Sequence, residues 1–170
     1  MRPIPQVNPV QQKNLMLRSM EAGVATRPGT WFFKNFVRHF EPTMIRMSGG
    51  KLQFGSGPRV NVTAPGRKSG EPRTATLLYF TRGDEVILIA SNFGGEHFPA
   101  WYYNVKAAGE ADLQWNGGGG KYTAREAEEP ERTALFELAK KLYSGYDNYA
   151  KKTAGIRKIP VMVLTPAPDQ

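Results

Sequence analysis

From residue 59 onward, the spacing of hydrophobic positions switches between every second residue and every third or fourth. Arg59-Val-Asn-Val-Thr63 alternates, which puts Val60 and Val62 on one face of a strand. Thr74 to Thr81 reads as a longer strand and Arg82-Gly83-Asp84-Glu85 as the turn after it. Val86-Ile-Leu-Ile-Ala90 is an unbroken apolar run, the pattern of a strand covered on both faces. Pro99 suits the first position of a helix reaching about Ala108, because its missing N–H is one that the first turn leaves unpaired anyway. A second hairpin is predicted from Ala111 to Trp115, through a glycine turn at Gly117 to Gly120, to Lys121–Ala127. Pro130 then starts a helix with Leu135, Phe136, Leu138, Ala139 and Leu142 inward, and Ile159 to Leu164 forms a last strand. Five or six mostly antiparallel strands with one crossing helix predict an α+β fold, a small barrel and not a doubly wound sheet.

Before residue 59 the pattern is helical and less regular. Residues 10–22 are polar enough for a mobile helix. Trp31-Phe-Phe-Lys-Asn-Phe36-Val37-Arg-His-Phe40 carries an aromatic face with Lys34, Asn35, Arg38 and His39 opposite, and Pro42 opens a short turn ending at Gly49-Gly50. The division predicted is a flexible extension over 1–30 and one folded domain over 31–170. The aromatic helix either packs on the domain's own core or docks on a partner or an anionic membrane surface.

Composition narrows the chemistry. The 170 residues include no cysteine, which excludes disulfides, thiolate catalysis and cysteine-ligated metal centres. Nor does any stretch have the length and apolarity of a signal peptide or a spanning helix. A cytoplasmic protein is expected, with peripheral contact at the inner face of the membrane as an option that the N-terminal helices leave open. The net charge of +8 is concentrated: residues 1–73 hold 12 Lys and Arg against 3 Asp and Glu, the remainder 11 against 12. Such asymmetry suits nucleic acid, anionic lipid or a polyanionic small molecule, unless it is merely a solvated basic face.

Two glycine-flanked loops lie one hairpin apart. Gly66-Arg67-Lys68-Ser69-Gly70, followed by Arg73, offers a planar fork of donors, a mobile point charge, a hydroxyl and backbone N–H groups that glycine leaves open to approach. Read alone, it is equally an exposed hairpin turn. It lacks the glycine spacing of a P-loop, and neither Ser69 nor Ser91 sits in a Gly-x-Ser-x-Gly elbow. His39 and His97 have no partners at metal-ligand spacing, so no metal is expected. Ser91-Asn-Phe-Gly94-Gly95 brings small residues directly after the apolar strand, where a flat ring meets no large side chains.

Several motifs now fall in order. Gly66-Arg67-Lys68-Ser69-Gly70-x-x-Arg73, Leu77-Leu78-Tyr79, Gly83-Asp84, Ala90-Ser91-Asn92-Phe93-Gly94-Gly95, Pro99-x-Trp101-Tyr102-x-Asn104, Thr123-Ala124-Arg125 and Arg157-x-Ile159-Pro160 resemble the deazaflavin-dependent nitroreductase family, over roughly residues 30–166. The resemblance implies a split β-barrel of the flavin-mononucleotide-binding type. It further implies hydride transfer from reduced coenzyme F420, an 8-hydroxy-5-deazaflavin, to a small-molecule acceptor such as a quinone, an activated enone or a nitroaromatic. Carried over residue by residue, Arg67, Lys68, Ser69 and Arg73 would hold the phosphate and glutamate tail. Thr74, Ala75, Thr76, Leu77 and Leu78, with Ile89, Ala90, Ser91 and Asn92, would flank the deazaflavin, and Ala100, Trp101, Tyr102, Tyr103 and Asn104 would contact the polar tail. The family commonly has proline where Thr76 stands, which puts the local strand path in question.

Tyr143, Tyr146 and Tyr149 recur every three residues and place phenols on one side of a turn or short helix. Packing accounts for such spacing by itself. The resemblance instead lines a substrate pocket with them, has Tyr146 also touch the cofactor, and makes these three and Ser91 the candidate catalytic residues, a phenol being a reasonable proton donor to a reduced acceptor. A non-catalytic F420 carrier, an FMN-binding protein and a nucleic-acid binder stacking bases on Trp31, Phe32, Phe33 and Phe36 are the competing readings; no nucleic-acid partner is expected. The assembly expected is a monomer or a weak homodimer.

Overall fold

The computed structural model describes residues 4–10 and 58–168, all within one compact unit. Six strands, β1 (Arg59–Pro65), β2 (Pro72–Arg82), β3 (Glu85–Ile89), β4 (Glu110–Trp115), β5 (Gly118–Glu126) and β6 (Val161–Pro166), close into a barrel in the order β1-β2-β3-β6-β5-β4. Every neighbouring pair is antiparallel, and β1 pairs with β4 to complete the ring. The α+β barrel predicted from the strand pattern is therefore the fold observed. Among the described residues three α-helices accompany it: α1 (Ala100–Ala108) between β3 and β4, and α2 (Glu131–Leu142) and α3 (Gly145–Thr153) between β5 and β6.

The core follows the periodicities. Val60, Val62 and Ala64 of β1 point inward while their neighbours are half-buried or exposed. All of Val86–Ile89 and Val161–Leu164 are buried, because α2 covers β3 and β6 from outside the barrel. Leu135, Phe136, Ala139 and Leu142 form the buried stripe of α2, and Leu138 is half-buried beside it.

Three details differ from expectation. The second hairpin turns over Asn116-Gly117, and Gly118 to Gly120 are strand residues opposite Trp115, Gln114 and Leu113. Gly118 makes room for a ring: a Cβ there would lie 2.9 Å from the Trp115 indole nitrogen. Pro99 stands just before α1 with an extended backbone, not inside its first turn. Residues 4–10 fall in the stretch expected to be a flexible extension, yet they lie along β2: Val7 exchanges bonds with Thr81, and the Tyr79 hydroxyl donates to the Pro5 carbonyl at 3.1 Å. The helices predicted over 10–22 and 31–40, and the domain boundary at 30/31, lie outside the described residues, as does any membrane contact through them.

One ion cluster ties the barrel to α2. Glu131, at the first position of that helix, accepts two bonds from Arg125 of β5 at 2.6 and 2.8 Å and one from Arg82 of β2 at 2.5 Å. These guanidiniums hold its carboxyl well down, to about 2. A depressed carboxylate stabilises the fold above its unfolded pKa and loses that contribution as pH falls through the folded value, here between about 4.5 and 2. Because both arginines are about half exposed, screening limits the gain to about 1 kcal/mol. Glu131→Gln should therefore lower stability at pH 7 by about that amount and erase the difference from wild type near pH 2, as acid-unfolding curves of the two proteins would show.

Candidate active site

The basic loop is the β1–β2 hairpin connection. Gly66 donates to the Glu71 carbonyl at 2.8 Å and receives the N–H of Gly70 at 2.7 Å, so the backbone closes tightly while Arg67, Lys68 and Ser69 project outward, exposed. The loop is anchored to α1. The Arg67 N–H donates to Asn104 Oδ1 at 3.1 Å, and the Arg67 guanidinium lies 4.6 Å from the centre of the Tyr103 ring. Arg67, Lys68 and Arg73 enter no ion pair among the described residues, whereas Arg82, Arg125, Lys106, Lys121, Lys140 and Lys158 all do; Lys141, Lys151, Lys152 and Arg157 are likewise without one, but lie outside this loop. Three neighbouring cations are thus left free for an external anion.

Beside the loop, β2 runs without interruption. Thr74 is exposed, and Ala75, Thr76, Leu77 and Leu78 are half-buried, which makes a ledge of modest side chains. Thr76 stands opposite Asn61 in register and its hydroxyl donates to Asn61 Oδ1 at 2.8 Å. Threonine in place of proline therefore keeps the strand path and adds a cross-strand bond.

At the end of β3, Ile89 and Ala90 are buried, and the chain then enters an unusual turn. Asn92, Phe93 and Gly94 have φ of 48°, 55° and 72° in succession. The turn rests on α3: the Phe93 ring meets Tyr149 edge-on at 6.2 Å, and a Cβ on Gly94 would lie 3.1 Å from the Tyr149 Cα. The Arg157 guanidinium binds it from below, with Nη2 donating to the Ser91 carbonyl at 2.9 Å and to the Gly95 carbonyl at 2.8 Å.

The tyrosine segment is a helix. Tyr146 and Tyr149 are buried and Tyr143, just before α3, is half-buried. The Tyr143 and Tyr149 hydroxyls share a hydrogen bond of 3.2 Å, and the Tyr143 and Tyr146 rings cross at 89° with centres 5.2 Å apart. Burial pushes the Tyr146 and Tyr149 phenols above the usual tyrosine range. They stay protonated throughout the neutral range and remain able to donate.

Of the residues expected in α1, Ala100 is exposed, Trp101, Tyr103 and Asn104 are half-buried, and Tyr102 is buried with its hydroxyl donating to Glu126 at 2.9 Å. Tyr102 therefore serves the link between α1 and β5, and its polar atom is already committed. The two loops and the tyrosine helix are joined through Phe98: its ring is 5.8 Å from that of Tyr103 and 4.8 Å from the Arg157 guanidinium. A continuous series of contacts runs from Arg67 through Tyr103, Phe98 and Arg157 to the Ser91–Gly95 turn and on to Tyr149. Phe98 also lines a cleft of about 390 Å³ with Glu126, Arg132 and Lys158, none of which was expected in the site. Arg157 and Phe98 were given no role in the sequence reading. The signal for Arg157 was its place in the Arg-x-Ile-Pro motif.

Residues 36–166 match the family model described as F420H(2)-dependent quinone reductase. An F420H(2)-dependent quinone reductase of Mycobacterium tuberculosis is 33% identical over 116 residues, covering 65% of this chain and 75% of the relative. A solved F420-H2 dependent reductase superposes with a TM-score of 0.58 at 35% identity, over 63% of this chain and 93% of its own. A second structure, described as a domain-swapped dimer, gives 0.59 at 30% identity, over 77% and 98%.

Proposed function

Because the chain belongs to the F420H(2)-dependent quinone reductase family, and is an F420-dependent oxidoreductase acting on a small-molecule acceptor, we propose how its residues divide that work. Arg67, Lys68, Ser69 and Arg73 bind the acidic tail, supported by Asn104 and Tyr103 behind the loop. The Thr74–Leu78 ledge and the segment Ile89–Asn92 would hold the ring, and Trp101 would contact the polar tail. The observation that carries this reading is that three cations of one loop, Arg67, Lys68 and Arg73, have no carboxylate partner among the described residues. A phosphodiester followed by glutamates is the kind of ligand that would satisfy them, and flavin mononucleotide, with a single phosphate, would leave some unused.

Held by these residues, reduced F420 would provide hydride chemistry, at the ring carbon that replaces a flavin nitrogen. The protein's part is to hold ring and acceptor face to face, exclude water, and deliver a proton to the acceptor oxygen that becomes negative. The Tyr143–Tyr149 phenol pair is suited to that delivery, Tyr143 being the half-exposed member and Tyr149 donating to or accepting from it. Tyr146 backs both rings and senses Tyr143 and Arg59 electrostatically. A quinone fits best as acceptor, since hydride plus proton gives a hydroquinone without rearrangement. The sequence reading of monomer or weak homodimer is supported on the dimer side by the related domain-swapped dimer. Placement in the cytoplasm rests on the sequence; among the described residues no helix is long and apolar enough to cross a membrane.

Steady-state oxidation of reduced F420 by one quinone and one enone tests the division of labour. Tyr143→Phe should lower kcat by about 10-fold while changing cofactor affinity by less than about 3-fold, because the ring packing survives and only the donating hydroxyl is lost. Tyr149→Phe and Tyr146→Phe should change the Michaelis constant unequally for the two acceptors, through the partner hydroxyl of Tyr143 and the ring that backs it. With phenol pKa values raised by burial, kcat should show no fall from tyrosine ionisation below about pH 10. Wild-type constants for all three variants would return the segment to packing.

A further inference from the structure

We propose that Arg157 is a positioning residue for the reaction, fixing the Ser91–Gly95 backbone against which the deazaflavin is held. The inference rests on the ring placement proposed above. Asn92, Phe93 and Gly94 all occupy the left-handed region, which costs energy for any residue except glycine, so a run of three needs an external restraint. A single side chain provides it at both ends. Arg157 Nη2 reaches the carbonyl of Ser91 before the run and that of Gly95 after it, and Nε adds a second bond to Gly95 at 3.0 Å. Nη2 spans the two carbonyls while Nε holds Gly95 from a second nitrogen in the same plane, and that two-nitrogen grip is what a single ammonium nitrogen cannot reproduce.

The arrangement is not one that stability alone would select. No carboxylate pairs with Arg157 among the described residues, and its Nη1 is buried without a hydrogen-bond partner. Desolvating a guanidinium and leaving donors unmade both oppose folding. The Phe98 ring covers its face and meets Tyr103, which stacks on Arg67, at 5.8 Å. The turn is thus tied through Arg157 to the same aromatic pair that meets the tail-binding loop. The backbone N–H groups of Asn92 and Phe93 donate to no acceptor among the described residues.

The test compares wild type, Arg157→Lys and Arg157→Ala, the last also with guanidinium ion added, by three measurements: F420 affinity from fluorescence, kcat and KM with a quinone, and hydrogen exchange in the unliganded protein. The expected result is at least 10-fold weaker F420 binding in both variants, partial recovery of Arg157→Ala by guanidinium but not by an equal concentration of ammonium, and faster exchange confined to residues 91–97. Lysine should not rescue. Unchanged affinity and kcat in Arg157→Lys would overturn the inference. So would a general rise in exchange across the barrel strands, or losses that guanidinium does not repair, since either makes Arg157 a support of the fold as a whole. If wild type itself binds no F420, the functional reading fails while exchange at residues 91–97 still decides whether Arg157 restrains the turn.

Discussion

Alanine at both Arg67 and Lys68 should weaken F420 binding by about 100-fold while leaving the thermal midpoint within about 2 °C of wild type. Each side chain can give a charge-assisted hydrogen bond to phosphate or carboxylate, worth roughly 1.5–3 kcal/mol, and losing both corresponds to about two decades or more in Kd. Stability is spared because both side chains are exposed and neither is ion-paired, and because the loop is closed by backbone bonds from Gly66 and Gly70. Its anchor to α1 is the Arg67 backbone N–H, which alanine retains; only the stacking of the guanidinium on Tyr103 is lost. Fluorescence titration beside a thermal melt checks both halves. A large drop in the melting temperature would mean that the loop holds the hairpin together and that weak binding is secondary.

Gly94→Ala should have a large effect for a single added methyl group, because it combines a left-handed backbone with a close backbone neighbour. Gly94 sits at φ 72°, and a Cβ would lie 3.1 Å from the Tyr149 Cα, a backbone atom that cannot turn aside. The left-handed conformation costs about 1–2 kcal/mol and the contact a similar amount, together on the order of 2–4 kcal/mol. Gly83→Ala separates the two contributions, since Gly83 has φ 58° with nothing within 4 Å of a Cβ. The Gly94 variant should melt roughly 5–10 °C below wild type and the Gly83 variant about half as far below it. F420 affinity should fall only in the former, because only there does the turn move relative to α3. Equal melting temperatures for the two variants would mean that α3 gives way freely and is not held against the turn.

How far the sequence revealed this arrangement depended on the kind of signal. The strands β1 and β3 were plain because burial writes a local pattern, alternating where one face is covered and continuous where α2 and the barrel interior cover both. The glycines at 118–120 misled for a physical reason. Their flexibility suggests a turn, but they are strand residues of a hairpin that turns two residues earlier, and the missing side chain of Gly118 seats the Trp115 indole. The basic loop was legible as an anion site because its cations are consecutive. That the cations are unpaired, and that Asn104 braces the loop from 37 residues away, only the fold could show. Arg157 had no legible role for a stricter reason: its acceptors are backbone carbonyls 62 and 66 residues earlier, and a carbonyl has no letter in the sequence. The tyrosine spacing was visible, but the 3.2 Å bond between Tyr143 and Tyr149 depends on the chain entering α3 from an extended residue.

The central claim, that three unpaired cations beside a narrow ledge select a polyanionic deazaflavin, is tested most directly by titrating the wild-type protein with F420 and with flavin mononucleotide at low and high salt. The account predicts F420 binding at least 10-fold tighter at low ionic strength, with the advantage shrinking as salt screens the exposed loop. Equal affinity for the two cofactors, unchanged by salt, would contradict it.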